Sequence, residues 1–447
     1  MTSAIERLSR LVDSNDRHGI PPAELLPLQL AAANERLESQ VRQIRLLGNR
    51  AQSGGITKLT EPADLVPLLF AHTAYKSYSE QWLNEGRWDR MGRWLETVSA
   101  SPGAGLDADA VQDLDDWVKR LETIGHYVAT SSGTTGKPAI LSATQADVAF
   151  SARANVTAFS WATGIEPDGE RRFLGLGPRL DAARSEAIRE AMTAAFCRKH
   201  APWHLPVPPI TVGSIIEIVI LRRKLAEGTA RPAEVREFQA IAERRQAELN
   251  AAMRSAVDAL VERRKQPFLA GAMFATLYAL AEQVRAQGFG KDDFHSEHAL
   301  LIGGGLKGAQ LPPNYREYVL ETLNVADERV YHLYSMQEIN TPFPMCRAGR
   351  YHVAPWVIAL PLDASGERLL DASTGEIEAR AAFHDLSLEG RWGGVISGDR
   401  VTIDFRPCAC GHQGPTLGRD ITRYSDLPDG DKITCAGSID AYVRGVA

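Results

Sequence analysis

The chain has 447 residues, of which 44% are hydrophobic and 24% charged, and it carries a formal net charge of −6 at pH 7. This is globular material with room for a large core or roughly two to three domains. The acidic balance and the lack of a basic stripe exclude nucleic acid as the main partner, because phosphate contacts need a concentrated basic face. The N-terminal MTSAIERLSRLVDSND is charged throughout and lacks an apolar signal core, so the expected location is cytoplasmic. Residues 1–120 read as a helical N-terminal region. Within it, Pro27 to Gly48 forms one long amphipathic helix and Gln81 to Ser99 a second, with Met91, Trp94 and Leu95 packing inward. Ser101 to Gly105 is a turn. From about 121 short β-branched or apolar runs alternate with helices: Tyr127 to Thr130, Phe173 to Leu176, Ile215 to Leu221, Ala299 to Ile302 and Val330 to Tyr334. That alternation predicts an α/β core with a largely parallel sheet over 121–395. The most apolar run, Ile210 to Leu221, contains Glu217 and is too short to span a bilayer. Pro232 to Arg264 is a long charged helical region with a solvated face. Residues 396–447 form a small β-rich end.

One stretch stands apart. Tyr127 to Pro138, YVATSSGTTGKP, places small hydroxyls and glycines directly before a lysine. Glycine lets a backbone turn bring N–H groups close to an anion, while serine, threonine and lysine add donors and charge, so the loop suits a polyphosphate. It is not a Walker A loop, which needs glycine at position 131 and a hydroxyl residue after the lysine; Ser131 and Pro138 stand there. The cysteines make a second signal. Five is an odd number, which fits reduced thiols or a metal site better than a disulfide framework. Cys346 is followed by His352 in C-x5-H, and Cys408 and Cys410 flank Ala409. These four ligands describe a closed, structural tetrahedral Zn2+ site, with His412 as a substitute ligand; the other reading is reduced thiols in turns with His352 merely hydrogen-bonded.

The SSGTTGKP string resembles the phosphate loop of the adenylate-forming superfamily, which includes acyl-CoA synthetases, adenylation domains and luciferases. The resemblance implies an adenylate-forming large N-terminal domain with a helical preface. It puts Ser131, Ser132, Gly133, Thr134, Thr135 and Gly136 on the β- and γ-phosphates of ATP, with Lys137 beside them as a catalytic charge. Later segments fall in the order the superfamily requires. In LIGGGLKG, three glycines let a flat ring lie against bare backbone, and the resemblance places adenine on Gly303, Gly304 and Gly305. Alone, that string is a plain turn. In YHLYSMQE, Tyr334 would stack near adenine, Ser335 would sit by the α-phosphate and Glu338 would hold Mg2+, since a hard cation takes carboxylate and phosphate oxygens together. Gln337 stands where the superfamily has a threonine. In VISGDR, Asp399 would accept both ribose hydroxyls. The cysteine layout is similar to the metal cluster in part of the phenylacetate-CoA ligase branch, and GSIDAYVRG resembles that branch's hinge, with Asp440 as the pivot and Arg444 reaching phosphate or ribose.

The chain stops soon after that hinge, so the expectation is that the C-terminal lid and its lysine are missing, leaving Lys137, Lys307 and Lys432 as candidates for that charge. Together with GGGLKG and DKITCAGSIDAYV, this looks like the acyl-protein synthetase family, whose members activate fatty acids for a partner reductase in bacterial luminescence. Cys435 is then the candidate acyl-accepting nucleophile, or else a small buried hydrophobe. The expected reaction is ATP-dependent activation of a small-molecule carboxylate to an acyl-adenylate. The acyl group then passes to a thiol of CoA, a carrier or a cysteine, or to an amine. Trp203, His204 and the apolar Leu205 to Ile210 point to an apolar or aryl acid. The competing readings are activation of a group other than a carboxylate, and a lidless, non-catalytic nucleotide-binding subunit.

Overall fold

The computed structural model describes residues 2–100, 105–131, 137–303, 309–372, 375–428 and 430–431. The chain forms two compact units. The first takes Met1–Ala154, Ala182–Arg184 and Tyr334–Ala447, and the second takes Asn155–Asp181 and Ser185–Leu333.

The first unit is built on a seven-stranded sheet centred on the long strand Gly394–Asp404. Ile377–Asp385 pairs antiparallel with that strand and with Val357–Leu362, whose six residues are all buried. On the other side lie Thr416–Leu417 and then Tyr351–His352, while Phe70–Ala71 runs parallel to the central strand. The N-terminal helices differ from the expected pair. Instead of one helix over 27–48, Pro22–Gln40 and Arg45–Ser53 are separate. Gly48 explains the break, since a Cβ there would lie 2.7 Å from the Val41 carbonyl oxygen and prevent the two turns from meeting. The buried face of Pro22–Gln40 is partly polar because it caps loose carbonyls: Gln29 donates to Pro355 O at 2.8 Å and Arg36 to Leu386 O at 3.0 Å. The region 81–99 is likewise two helices, Glu80–Asn84 and Trp88–Val98, with Gly86 at φ 63° between them. Trp88, Met91, Trp94 and Leu95 are buried.

The second unit holds a five-stranded, all-parallel sheet in the order Val330–Tyr331, Ala299–Ile302, Phe268–Ala272, Arg172–Gly175, Trp203–His204. Alternate residues serve opposite faces. Leu174, Phe268, Ala270 and Leu300 join a core with Leu277, Leu280 and Leu260, while Phe173, Leu269 and Ala299 meet Phe159 and Phe196. Helices therefore cover both faces, which is why the strands read as continuous apolar runs.

One expected strand is a helix. Ile215 to Leu221 lies inside Val212–Ala226, started by Thr211, whose side chain accepts from Ser214 N. The run is β-branched, yet its buried positions Val212, Ile216, Val219 and Ile220 recur at three- and four-residue steps. Pro232–Arg263 is one unbroken helix whose buried residues all lie in its last third, from Ala252 to Leu260. Among the described residues no helix is long and apolar enough to cross a membrane.

Candidate functional site

The hydroxyl-rich loop joins two paired strands of the first unit, Tyr127–Thr130 and Ile140–Ala143. Its base is closed by Ser131, whose Oγ accepts from Ala139 N at 2.9 Å, and by Thr130 Oγ1, which donates to Ala139 O at 2.9 Å. Ser132, Gly133, Thr134, Thr135 and Gly136 lie outside the described residues. Lys137 leaves the loop toward Tyr78: its ammonium donates to the Tyr78 carbonyl and lies 4.2 Å from the centroid of that ring. Tyr78 is fully buried and donates its own hydroxyl to Pro138 O at 2.9 Å.

Glu338 sits on a turn held from four directions. Arg391 donates to Gln337 O at 3.0 Å and to Ser142 O at 2.7 Å, tying the turn to the strand that leaves the hydroxyl loop. Arg184 donates to Ile339 O at 3.0 Å. Asp385 accepts from Asn340 N at 2.7 Å, and the Asn340 amide donates to Asp147 O at 2.8 Å. Burial raises the Glu338 carboxyl above its ordinary range, against the pull of Lys76 and Arg391. A buried carboxylate kept at such a cost fits a site that takes up a hard cation.

Tyr334 donates its hydroxyl to Asp399 Oδ2 at 2.8 Å, and its ring lies 5.9 Å from that of Phe343 and 6.1 Å from that of Phe383. Burial raises both partners, the phenol well above its usual value and the carboxyl above its own. Arg423 Nε lies 3.9 Å from Asp399 Oδ1. One Asp399 oxygen is therefore already occupied, and the remaining lone pairs are what a vicinal diol could use. Ser335 follows Tyr334 and is exposed. Gly303 belongs to the second unit, at the carboxyl end of Ala299–Ile302, where a Cβ would meet nothing within 4 Å. Gly304, Gly305 and Lys307 lie outside the described residues, as do Lys432, Cys435, Asp440 and Arg444. In the second unit Leu205 is core, with Trp203 and Val207 packed against it. His204 lies 5.5 Å from the Phe173 ring, in the space that Gly175 leaves open.

Cys346, His352, Cys408 and Cys410 present ligand atoms that all lie within 4.8 Å of one another. Two tight turns bring them together: Gly349 N donates to Cys346 O, and Gly411 N to Cys408 O, both at 2.9 Å, with these glycines at φ 74° and 92°. Cys346 Sγ lies 3.8 Å from Cys408 Sγ, and Cys410 Sγ lies 3.3 Å from His352 Nε2. With Zn–S bonds of about 2.3 Å, sulfurs at two corners of a tetrahedron stand about 3.8 Å apart, whereas a disulfide requires about 2.05 Å. Burial pushes the Cys410 thiol up to about 12 and His352 down to about 4. The imidazole is thus neutral and ready to ligate, and a dication would have to draw the thiol protons off. His412 is not one of the four; its ring lies 6.1 Å from that of His352.

Sequence reading missed Arg391, Arg184 and Asp147, which hold the turn mainly through its backbone carbonyls and the Asn340 amide. Asp147 carried a local signal, because it forms a reciprocal cap with Thr144 before accepting from Glu389 N and Gly390 N. The arginines carried none.

No family model matches the chain, and none of the curated proteins matches it in sequence. Solved structures do. The chain is similar to 2-hydroxyisobutyryl-CoA ligase in an open conformation with 2-HIB-AMP and CoA, at a TM-score of 0.54 and 15% identity over 93% of this chain and 79% of that one. The same ligase in the thioesterification state gives a TM-score of 0.54 at 15% identity, covering 93% and 72%. In the postadenylation state with 2-HIB-AMP it gives 0.53 at 14% identity, covering 92% and 71%. The chain therefore shares its fold with 2-hydroxyisobutyryl-CoA ligase.

Proposed function

We propose that this chain is an ATP-dependent ligase that activates a small apolar or aryl carboxylic acid as its acyl-adenylate and hands the acyl group to a thiol or an amine. The observation that carries the reading is the Arg391 bridge, which fixes the hydroxyl loop's departing strand and the Glu338 turn to one another within the unit that also bears Asp399. In this reading the loop hydroxyls and N–H groups cradle the β- and γ-phosphates, Lys137 exchanges the Tyr78 carbonyl for phosphate, and Asp399, oriented by Tyr334, accepts the ribose hydroxyls. Glu338 would hold Mg2+, which supplies charge neutralisation for the triphosphate. The protein's contribution is positioning and preorganised charge. The Cys346, His352, Cys408 and Cys410 cluster holds a structural Zn2+ that clips two turns of the sheet's edge. Cys435, a partner acceptor protein or a reductase remains the proposed destination of an acyl group passed through protein thiols.

The test is acid-dependent exchange of labelled pyrophosphate into ATP across a panel of aryl, branched and straight-chain acids. Exchange that requires one acid class supports adenylation, and Lys137→Ala should lower it by roughly 10- to 1000-fold, the range for removing a charge-stabilising group. Tight AMP binding with no exchange for any acid would identify a nucleotide-binding subunit instead.

A further inference from the structure

The helix Pro232–Arg263 enters the core of its unit only near its end. Its buried residues lie between Ala252 and Leu260, with Leu249 and Met253 packed beside them. The roughly four turns before Leu249 hold no fully buried residue. On those turns the half-buried Val235, Phe238 and Ile241 mark one side, and the other side is exposed.

At about 100° per residue, Ala233, Ala240 and Ala247 fall within about 20° of one line along that exposed side. Arg236 and Glu243 lie about 40–60° to one side of the line, and Glu237 and Arg244 the same distance to the other. All seven residues are exposed, and among the described residues none forms an ion pair with these four charges. Glu234, by contrast, is held by Lys224 and Arg231, each at 3.1 Å.

Two features set this face apart from an ordinary solvated one. Its centre is small, so another helix can come within the short end of the usual spacing of about 8–10 Å. Its charges read R-E-x2-A-x2-E-R over 236–244, a palindrome about Ala240. A two-fold axis through Ala240, perpendicular to the helix, lays a second copy antiparallel and sets each flank against the same flank of its partner. Arg236 then faces the partner's Glu243 on one flank, and Glu237 faces the partner's Arg244 on the other, each pair matched to about 1.5 Å along the axis. Symmetry repeats both. Arg236 and the partner's Arg244 stand on opposite flanks, so like charges do not meet. A parallel pair would also match signs, but it sets the two helix dipoles side by side in the same sense, whereas the antiparallel pair opposes them.

We propose that this face is a self-association surface, on which a second copy of this chain packs its own Ala240 face antiparallel, held by the flanking ion pairs. From Ala233 to Ala247 the strip is roughly 20 Å long, too small to reach the roughly 1,200 Å2 that a stable dimer buries. Exposed ion pairs are individually weak and screened by salt. The contact is therefore a low-affinity one, populated at high protein concentration and low ionic strength.

The test is sedimentation equilibrium of the intact chain at high protein concentration, at low salt where the screening length is about 30 Å and at high salt where it is about 3 Å. Wild type should exceed the 48.9 kDa of one chain at low salt and return to it at high salt. Glu243→Arg and Arg236→Glu each oppose like charges twice and should weaken association by about tenfold or more. Neither position has a charged residue three or four places away in the helix, so both variants should keep the wild-type melting temperature. Arg236→Glu with Glu243→Arg in one chain, and an equimolar mixture of the two single variants, re-form opposite-sign pairs and should associate within about threefold of wild type. Should a single variant fail to fold, Glu237→Arg and Arg244→Glu repeat the comparison on the other flank. A wild type that stays monomeric at low salt overturns the proposal. So does association that Glu243→Arg leaves unchanged, which would put the contact elsewhere, and so does a loss that neither the double variant nor the mixture recovers, which would exclude the antiparallel pairing.

Discussion

Replacing Cys408 by serine removes one of the four proposed zinc ligands, one far along the chain from Cys346. The Cys346–Cys408 link spans 62 residues. Treated as a cross-link, a span of that length restricts the unfolded chain by about 4 kcal/mol at 25 °C, and structural zinc in small domains contributes more than this in apparent binding energy. At about 2 °C per kcal/mol, the lower end of the scale for domains of roughly 150–250 residues and apt for a unit somewhat larger than that, the variant should melt roughly 8 °C lower. Metal content by mass spectrometry and thermal unfolding by fluorescence, each with and without EDTA, supply the assay. Wild type should carry about one zinc per chain and be destabilised by the chelator, whereas Cys408→Ser should carry little and be insensitive to it. Cys197→Ser is the control, because that thiol is buried in the core of the second unit and is not one of the four. A wild-type protein that is metal-free and melts alike with chelator and with the serine would refute the reasoning and leave the four groups as reduced thiols and a buried imidazole.

Two further outcomes follow from the carboxylates. Burial raises the folded-state pKa of Glu338 above its unfolded value, so its ionised form costs stability near neutrality; the favourable contribution is complete below the unfolded pKa and is lost as pH rises through the folded one. Glu338→Gln should therefore raise the melting point at pH 7 while abolishing Mg2+-dependent exchange, and a lower melting point would show that the charge stabilises the fold. Tyr334→Phe deletes the 2.8 Å donor to Asp399, a hydrogen bond to a charged group worth about 1.5–3 kcal/mol, so the KM for ATP should rise by roughly 10- to 100-fold. An unchanged KM would show that only the ring is used.

Much of this protein is written in short stretches of sequence. The strands 127–130 and 299–302 appear where short apolar runs place them. The C-x-C turn is equally local, needing a left-handed glycine at Gly411 just past it. Such features depend on torsional preferences and periodicity within a few residues, and a reader of the chain has all the terms. Where two local signals compete, that advantage fails: in 215–221 the β-branched composition suggested a strand, and burial at helical spacing decided for a helix.

The sequence alone could not bring Cys346 and His352 to Cys408 and Cys410, or route one guanidinium to both Ser142 and Gln337. Those meetings depend on which strand of the central sheet lies beside which. That choice is made by the summed burial of many residues, and nothing near Arg391 in the chain encodes it.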